Sequence, residues 1–171
     1  MAFRIVPLTR AHRGLLKTFR CQHESLNTFL ERFALRHLER DLLSRTYLAV
    51  DEDARHVGGY FSLTTASVDR DQAGRIPKLD RLPRFPVPAI LVARLAVDER
   101  IQGQGLGRYL FDEALGLTLL LARTGPVRFR LLVTDAIDDR AVRFYEHFGL
   151  VAITDPSPRR MVLDLQPMLS E

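Results

Sequence analysis

The sequence predicts an α/β fold, a mixed central sheet of about six or seven strands flanked by helices. Three observations lead there. Segments rich in β-branched and aromatic residues alternate with segments whose apolar residues recur at helical spacing. The most apolar strand candidate, Ala89 to Val97, runs through a glycine-rich turn straight into a long helix. No internal repeat and no long linker interrupts the chain, so residues 1–171 are expected to form one domain with one sizeable core.

Each element has its own signal. Phe3 to Leu8 reads as a first strand. Leu26, Phe29, Leu30, Phe33 and His37 follow helical spacing and predict a helix over 24–43. Thr46 to Asp51 is β-prone, residues 51–55 form a polar turn, and Val57 to Val68 completes a hairpin. Residues 69–88 hold Pro77, Pro83, Pro86 and Pro88, a density that predicts a loop without helix or central strand. Ala89 to Val97 is apolar apart from Arg94 and reads as a central strand. Residues 98–104 turn the chain, 105–123 are helical, and Gly125-Pro126 stops the helix. Val127 to Val133 alternates, with Arg128 and Arg130 on one face. Asp138 or Asp139 can cap a helix reaching His147, closed by Gly149, and Leu150 to Thr154 and Arg160 to Leu165 are the final strands.

Composition excludes several classes. Hydrophobic residues are 46% and charged residues 27%, an ordinary globular balance, and no apolar run reaches the span a membrane needs. The first residues show no long apolar stretch of a signal peptide. One cysteine, Cys21, rules out an internal disulfide, and a reducing cytoplasm is the expected compartment. The five histidines and that cysteine show no metal-ligand spacing, so no metal is expected. Charge is uneven. Residues 70–94 hold six cations (Arg70, Arg75, Lys78, Arg81, Arg84, Arg94) against Asp71 and Asp80, as much net charge as the whole +4 chain. A phosphate-rich partner and an ordinary solvated loop both fit that window.

The most informative segment is the turn Gln102-Gly-Gln-Gly-Leu-Gly-Arg108. Alternating glycines between a buried strand and a helix let a ligand approach the main chain. The first N–H groups of the helix lack internal partners and sit at its positive end, which suits a diphosphate. A P-loop is absent, because no G-x-x-x-x-G-K-[ST] occurs. A G-x-G-x-x-G fingerprint fails in both frames, ending on Arg108 or Leu110. The pattern Q/R-x-x-G-x-G/A is met by Gln102, Gly105 and Gly107, and also by Arg100, Gly103 and Gly105. The Gln102 frame is preferred, since its last glycine enters the long helix.

With that pattern the chain resembles the GCN5-related N-acetyltransferases (GNAT) over nearly its whole length. Arg140-Ala-Val-Arg-Phe-Tyr-Glu-His-Phe-Gly-Leu150 is similar to the family's late-helix signature A-x-x-F-Y-E-x-x-G-F. Phe19-Arg-Cys21, Leu26-Asn-Thr-Phe29-Leu30, Gly58-Gly-Tyr60-Phe-Ser-Leu63, Leu82-Pro-Arg84-Phe-Pro86-Val-Pro88 and Arg94-Leu-Ala-Val-Asp98 resemble the GNAT toxins of bacterial toxin–antitoxin pairs. The resemblance implies a GNAT fold and acetyl-CoA as cosubstrate. It further implies aminoacyl-tRNA as acceptor, a ribbon-helix-helix antitoxin as partner, and a homodimer.

It also implies roles for residues. Leu95, Ala96 and Val97 would pair with the pantetheine arm, with an oxyanion donor near Val97. Gln102, Gly103, Gln104, Gly105, Leu106, Gly107 and Arg108 would take the diphosphate, and Phe144 would pack against the cofactor. Tyr145 would reprotonate the departing thiolate, a role its ordinary pKa near 10 suits; helical spacing with Ala141, Phe144 and Phe148 equally allows a core tyrosine. Asp135 would lie near the substrate cleft, and no general base stands out. Arg81, Arg84 and Arg94 would contact tRNA, together with Arg128 and Arg130, while Arg94 could instead serve a structural ion pair. Rival readings are an acetyltransferase for a small amine or a protein N-terminus, and a non-catalytic module binding acyl-CoA or RNA.

Overall fold

The computed structural model describes residues 2–53, 55–155 and 158–170. Seven strands occur in the order β1-β2-β3-β4-β5-β7-β6, numbered along the chain as given below. Two compact units share these elements: Met1–Thr64 with Ala93–Leu115, and Thr65–Val92 with Gly116–Glu171.

In the first unit, β1 (Arg4–Pro7) pairs antiparallel with β2 (Arg45–Asp51), which pairs antiparallel with β3 (His56–Val68). The turn expected at 51–55 includes Ala54, which lies outside the described residues. A 3₁₀ segment at Arg10–Thr18, which has no apolar period long enough to announce it, connects β1 to α1. The helix α1 (residues 24–39) is α-helical at Glu24–Thr28, π-helical at Phe29–Phe33 and α-helical again at Ala34–Glu39. Within the wide turn the Ala34 amide donates to the Phe29 carbonyl. That brings positions five apart onto one face, and Phe29, Leu30 and Ala34 are all buried. The helix stops short of the expected residue 43. Leu42 takes a left-handed φ of 54°, and Leu42 and Leu43 project into solvent, so no core rewards further turns. Phe19, Phe29, Leu30, Leu48, Tyr60 and Ala96 form the centre of this unit's core.

In the second unit, the first half of β4 (Val87–Val97) runs parallel to β5 (Leu131–Ala136), with Ala89 opposite Leu131 and Val92 opposite Thr134. β5 pairs antiparallel with β7 (Arg159–Asp164), which pairs with the two-residue β6 (Val151–Ala152). Val68, Leu79, Val87, Leu131, Val133 and Val162 belong to its core.

Two expectations are corrected here. The strand expected at 127–133 begins at Leu131 and runs to Ala136. Its Leu-Leu-Val-Thr run is buried throughout, the mark of a central parallel strand. The alternation at 127–130 has another cause. Arg128 donates to the Ala122 carbonyl at 3.0 Å, and Arg130 grips Asp164 through Nε and NH2 at 2.6 and 3.0 Å. The proline-rich stretch, expected to be a loop without helix, also contains helical turns. It holds α2 (Arg70–Ala73), ahead of Pro77, and a 3₁₀ turn at Leu79–Arg81, between Pro77 and Pro83. β4 starts at Val87 and accommodates Pro88.

The long helix α3 (Leu106–Thr124) ends where the Gly125 amide donates to the Leu121 carbonyl at 2.8 Å. α4 (Asp139–Glu146) begins with the Asp138 carboxylate accepting from the Ala141 amide at 2.8 Å, and Gly149 follows it with φ 88°. A last short helix, α5 (Gln166–Leu169), was not signalled by any apolar period. Among the described residues no helix is long and apolar enough to cross a membrane.

Candidate functional site

The glycine turn is held by a residue that sequence reasoning passed over. Asp98, wholly buried, follows β4 directly. One carboxylate oxygen accepts from the Arg100 amide at 2.9 Å and Arg100 Nε at 2.8 Å. The other accepts from the Arg20 amide at 3.0 Å and Arg100 NH2 at 2.8 Å, and lies 3.2 Å from His56 Nε2. Burial alone would raise the Asp98 pKa. The hydrogen bonds from Arg100, Arg20 and His56 outweigh it and hold the carboxyl well below the usual range. The Asp98 amide donates to the Gly58 carbonyl and the Glu99 amide to the Arg20 carbonyl, both at 2.8 Å. The sequence offered one hint, an acid two residues ahead of an arginine at a strand end.

Beyond this knot Gln102 Nε2 reaches back to the Val97 carbonyl at 3.2 Å. Gly103 and Gly105 take φ of 79° and 86°, a region that strains any side chain. A Cβ at either would meet nothing within 4 Å, so the backbone demands glycine while the space beside it is open. Gln102, Gly103, Gln104 and Gly105 are exposed, Leu106 is buried beneath them, Gly107 is half-buried and Arg108 is exposed. The 19-residue helix α3 starts at Leu106, so the first amides of a helix, which have no acceptor within its own turns, lie at this turn. This arrangement fits a diphosphate.

On β4, Ala96 is buried against the core that contains Phe29 and Tyr60, while Leu95 and Val97 are half-buried. Arg94 lies over the Phe29 ring at 3.6 Å from its centroid. Among the described residues no carboxylate pairs with it, which removes the ion-pair alternative; the contact is cation–π. Burial lowers the Arg94 pKa and raises that of Tyr60, whose hydroxyl donates to the Leu26 carbonyl at 2.7 Å. Gly59 lets the chain pass this strand. A Cβ there would stand 2.8 Å from the Ala96 oxygen and 2.7 Å from a Leu110 methyl.

In the second unit Tyr145 is buried on α4, its ring edge-on to Phe144 at 5.1 Å. Burial pushes its pKa up, a hydrogen bond with Thr134 opposes that, and the charge of Asp135 adds to the rise. The Thr134 hydroxyl donates to the Val92 carbonyl at 2.9 Å, which ties this corner to β4. Asp135 is clasped by Arg160, Nε at 2.7 Å and NH2 at 3.1 Å.

The basic window divides by use. Arg70 donates to the Leu82 carbonyl at 3.1 Å and to the Asp80 carbonyl, and Arg75 donates to the Ile153 carbonyl at 2.8 Å. Arg81 and Arg84 are exposed and have no carboxylate partner among the described residues. Arg128 and Arg130, expected beside them at the RNA, are instead committed to the Ala122 carbonyl and to Asp164.

The glycine turn and Arg94 therefore belong to the first unit, and Tyr145, Asp135, Arg81 and Arg84 to the second. A glycine turn open to a ligand at the start of a long helix, beside a half-buried strand, fits the diphosphate and arm of an acyl-CoA. The acetyltransferase (GNAT) domain model matches residues 44–150, more than half of the chain. A tRNA-acetylating toxin of Mycobacterium tuberculosis (strain ATCC 25618 / H37Rv) is 34% identical over 141 residues, covering 81% of this chain and 80% of that protein. The chain belongs to the GNAT acetyltransferase family. Its fold is similar to that of a tyrosine-to-phenylalanine mutant of KacT, at TM-score 0.87 and 23% identity over 99% of both chains. It is also similar to AtaT complexed with acetyl-methionyl-tRNAfMet, at TM-score 0.82 and 24% identity over 97% of this chain and 96% of that one.

Proposed function

We propose that this acetyltransferase moves the acetyl group of acetyl-CoA onto the α-amine of the amino acid carried by charged tRNA, acting as a toxin that blocks translation. The likeness to the tRNA-acetylating toxin carries the choice of acceptor. The open glycine turn supports the choice of donor.

The thioester supplies an activated acetyl group. The chain supplies the rest. Amides of Gly103 to Arg108 hold the diphosphate, with Gln102 and Gln104 at its rim. The backbone of Leu95, Ala96 and Val97 aligns the pantetheine arm, and an amide near Val97 stabilises the oxyanion. Tyr145 donates its proton to the leaving thiolate. Its hydroxyl carries the proton at neutral pH, as an ordinary tyrosine does, and burial holds it further in that form. Phe144 braces the Tyr145 ring.

Asp135 is held by Arg160 and serves to orient the corner around Tyr145, not to take a proton from the amine. An aminoacyl ester amine is less basic than a lysine amine, so a strong base is not required. Arg81 and Arg84 neutralise RNA phosphates, positioning the acceptor without reading its sequence. Arg94, stacked and without a carboxylate, offers a further anion contact. The reading includes one domain over 1–171, a homodimer in the cytoplasm, and a ribbon-helix-helix antitoxin as partner.

The test is incubation with labelled acetyl-CoA and total charged tRNA. Label should appear on the aminoacyl group and leave with it on ester hydrolysis. Label on free amines or proteins with none on tRNA would contradict the acceptor.

A further inference from the structure

The loop that carries Arg84 holds a feature the mechanism does not use. Phe85 is 62% exposed, flanked by Pro83 and Pro86. It is not a loose tip. Its amide donates to the Pro83 carbonyl at 2.9 Å, and the loop is anchored on either side by buried Leu79 and Val87. Prolines and anchors hold an aromatic ring in water, where nothing in the fold rewards it.

The ring borders a cleft of about 670 Å³, lined by Asp69, Arg70, Asp71, Gln72, Arg84 and Pro86 together with Phe85 itself. That volume is within the range of small-ligand sites, about 300–1,000 Å³. The polar groups sort by sign. Arg70 is spent on the Leu82 and Asp80 carbonyls, so Arg84 is the cation left to meet an anion. Asp69 and Asp71 carry no ion pair among the described residues. They repel phosphate and accept hydrogen bonds. The cleft thus suits an occupant that is anionic at one end, flat and apolar on its face, and rich in N–H donors at its edge.

A nucleotide with its base unpaired has that chemistry. We propose that Phe85 is a stacking platform for an unpaired base of the RNA acceptor, with Arg84 on the adjoining phosphate and Asp69, Asp71 and Gln72 facing the base edge. The assignment rests on the charged-tRNA reading above and deepens it. Single-stranded ends are what such platforms select, because a paired base has no free face.

The experiment measures binding of the full-length protein to two RNA hairpins of equal stem, one blunt and one with a single-stranded 3′ overhang. Wild type should bind the overhang form more tightly. Phe85→Ala and Phe85→Leu should each weaken overhang binding by about 5-fold or more and leave blunt binding unchanged. Phe85→Trp should keep the preference, because it keeps a π face; leucine loses it while remaining apolar. Arg84→Gln should weaken both forms. Overhang binding by Phe85→Ala equal to wild type overturns the platform and leaves the RNA reading standing. Weakened antitoxin binding in that variant with intact RNA binding does the same, assigning the ring to a protein partner. Wild type binding neither hairpin overturns the RNA reading and the platform with it.

Discussion

Replacing Asp98 by Asn should unfasten the turn that precedes α3. The side chain is wholly buried and its two oxygens meet donors from Arg20, Arg100 and His56. Asn keeps the size, but one oxygen becomes an NH2 group aimed at donors. Removing one partner of a buried ion pair costs about 3–5 kcal/mol. Arg100 is 58% exposed and can rehydrate, so the low end applies, about 3 kcal/mol. That is a large part of the about 5–15 kcal/mol that holds a typical domain. For a chain of this size it corresponds to a melting temperature lower by roughly 6–12 °C.

Urea unfolding of both proteins across a pH series reads the effect. The folded pKa of Asp98 is depressed, so the unfolded chain takes up a proton first as pH falls. The stabilisation is therefore complete above the ordinary carboxylate pKa of about 3.9 and is lost as pH falls through the lower folded value. The gap between wild type and Asp98→Asn should stay constant from about pH 7 to pH 5 and narrow only below about pH 4. A gap under about 1 kcal/mol, or one already closing near pH 6, would refute the reasoning.

Other variants probe the remaining parts. Tyr145→Phe should lower kcat by about 100-fold or more while the affinity for CoA, read by titration, is unchanged; near-normal kcat removes the tyrosine from proton transfer. Gly105→Ala meets no clash, so its effect should be conformational, with CoA affinity falling about 10-fold through the strain of a positive φ. Gly59→Ala should instead destabilise the fold by about 1–3 kcal/mol, visible in Tm, because its methyl meets the Ala96 carbonyl. The pair Arg81→Glu and Arg84→Glu should abolish RNA binding with CoA binding intact, and neutral replacements should reduce the salt slope by about 2.

The sequence made the parts with strong periodicity or special backbone legible. The β2–β3 hairpin, α3, α4 with its Asp138 cap and the glycine turn lie close to where alternation, helical spacing and glycine placed them. Segments governed by tertiary context did not show. Val127 to Arg130 alternates like a strand, yet its arginines bond the end of α3 and Asp164, while the strand itself begins four residues further on, at Leu131. The helix near Leu42 ends for lack of anything to bury, which no local pattern reveals. Asp98 was missed because its partners come from positions 20, 56 and 100. Arg94 stands out in the sequence as a charge in an apolar strand, but spacing does not reveal its stack on Phe29, the residue at which the π-turn begins.

Calorimetric titration of the purified protein with acetyl-CoA puts the whole account at risk most directly. Saturable binding at one site per chain, weakened by Gly105→Ala and unaltered by Tyr145→Phe, is the predicted result. No heat and no saturation at millimolar acetyl-CoA would mean that the amides at the start of α3 hold no diphosphate, and the acetyl-transfer mechanism built on them would be wrong.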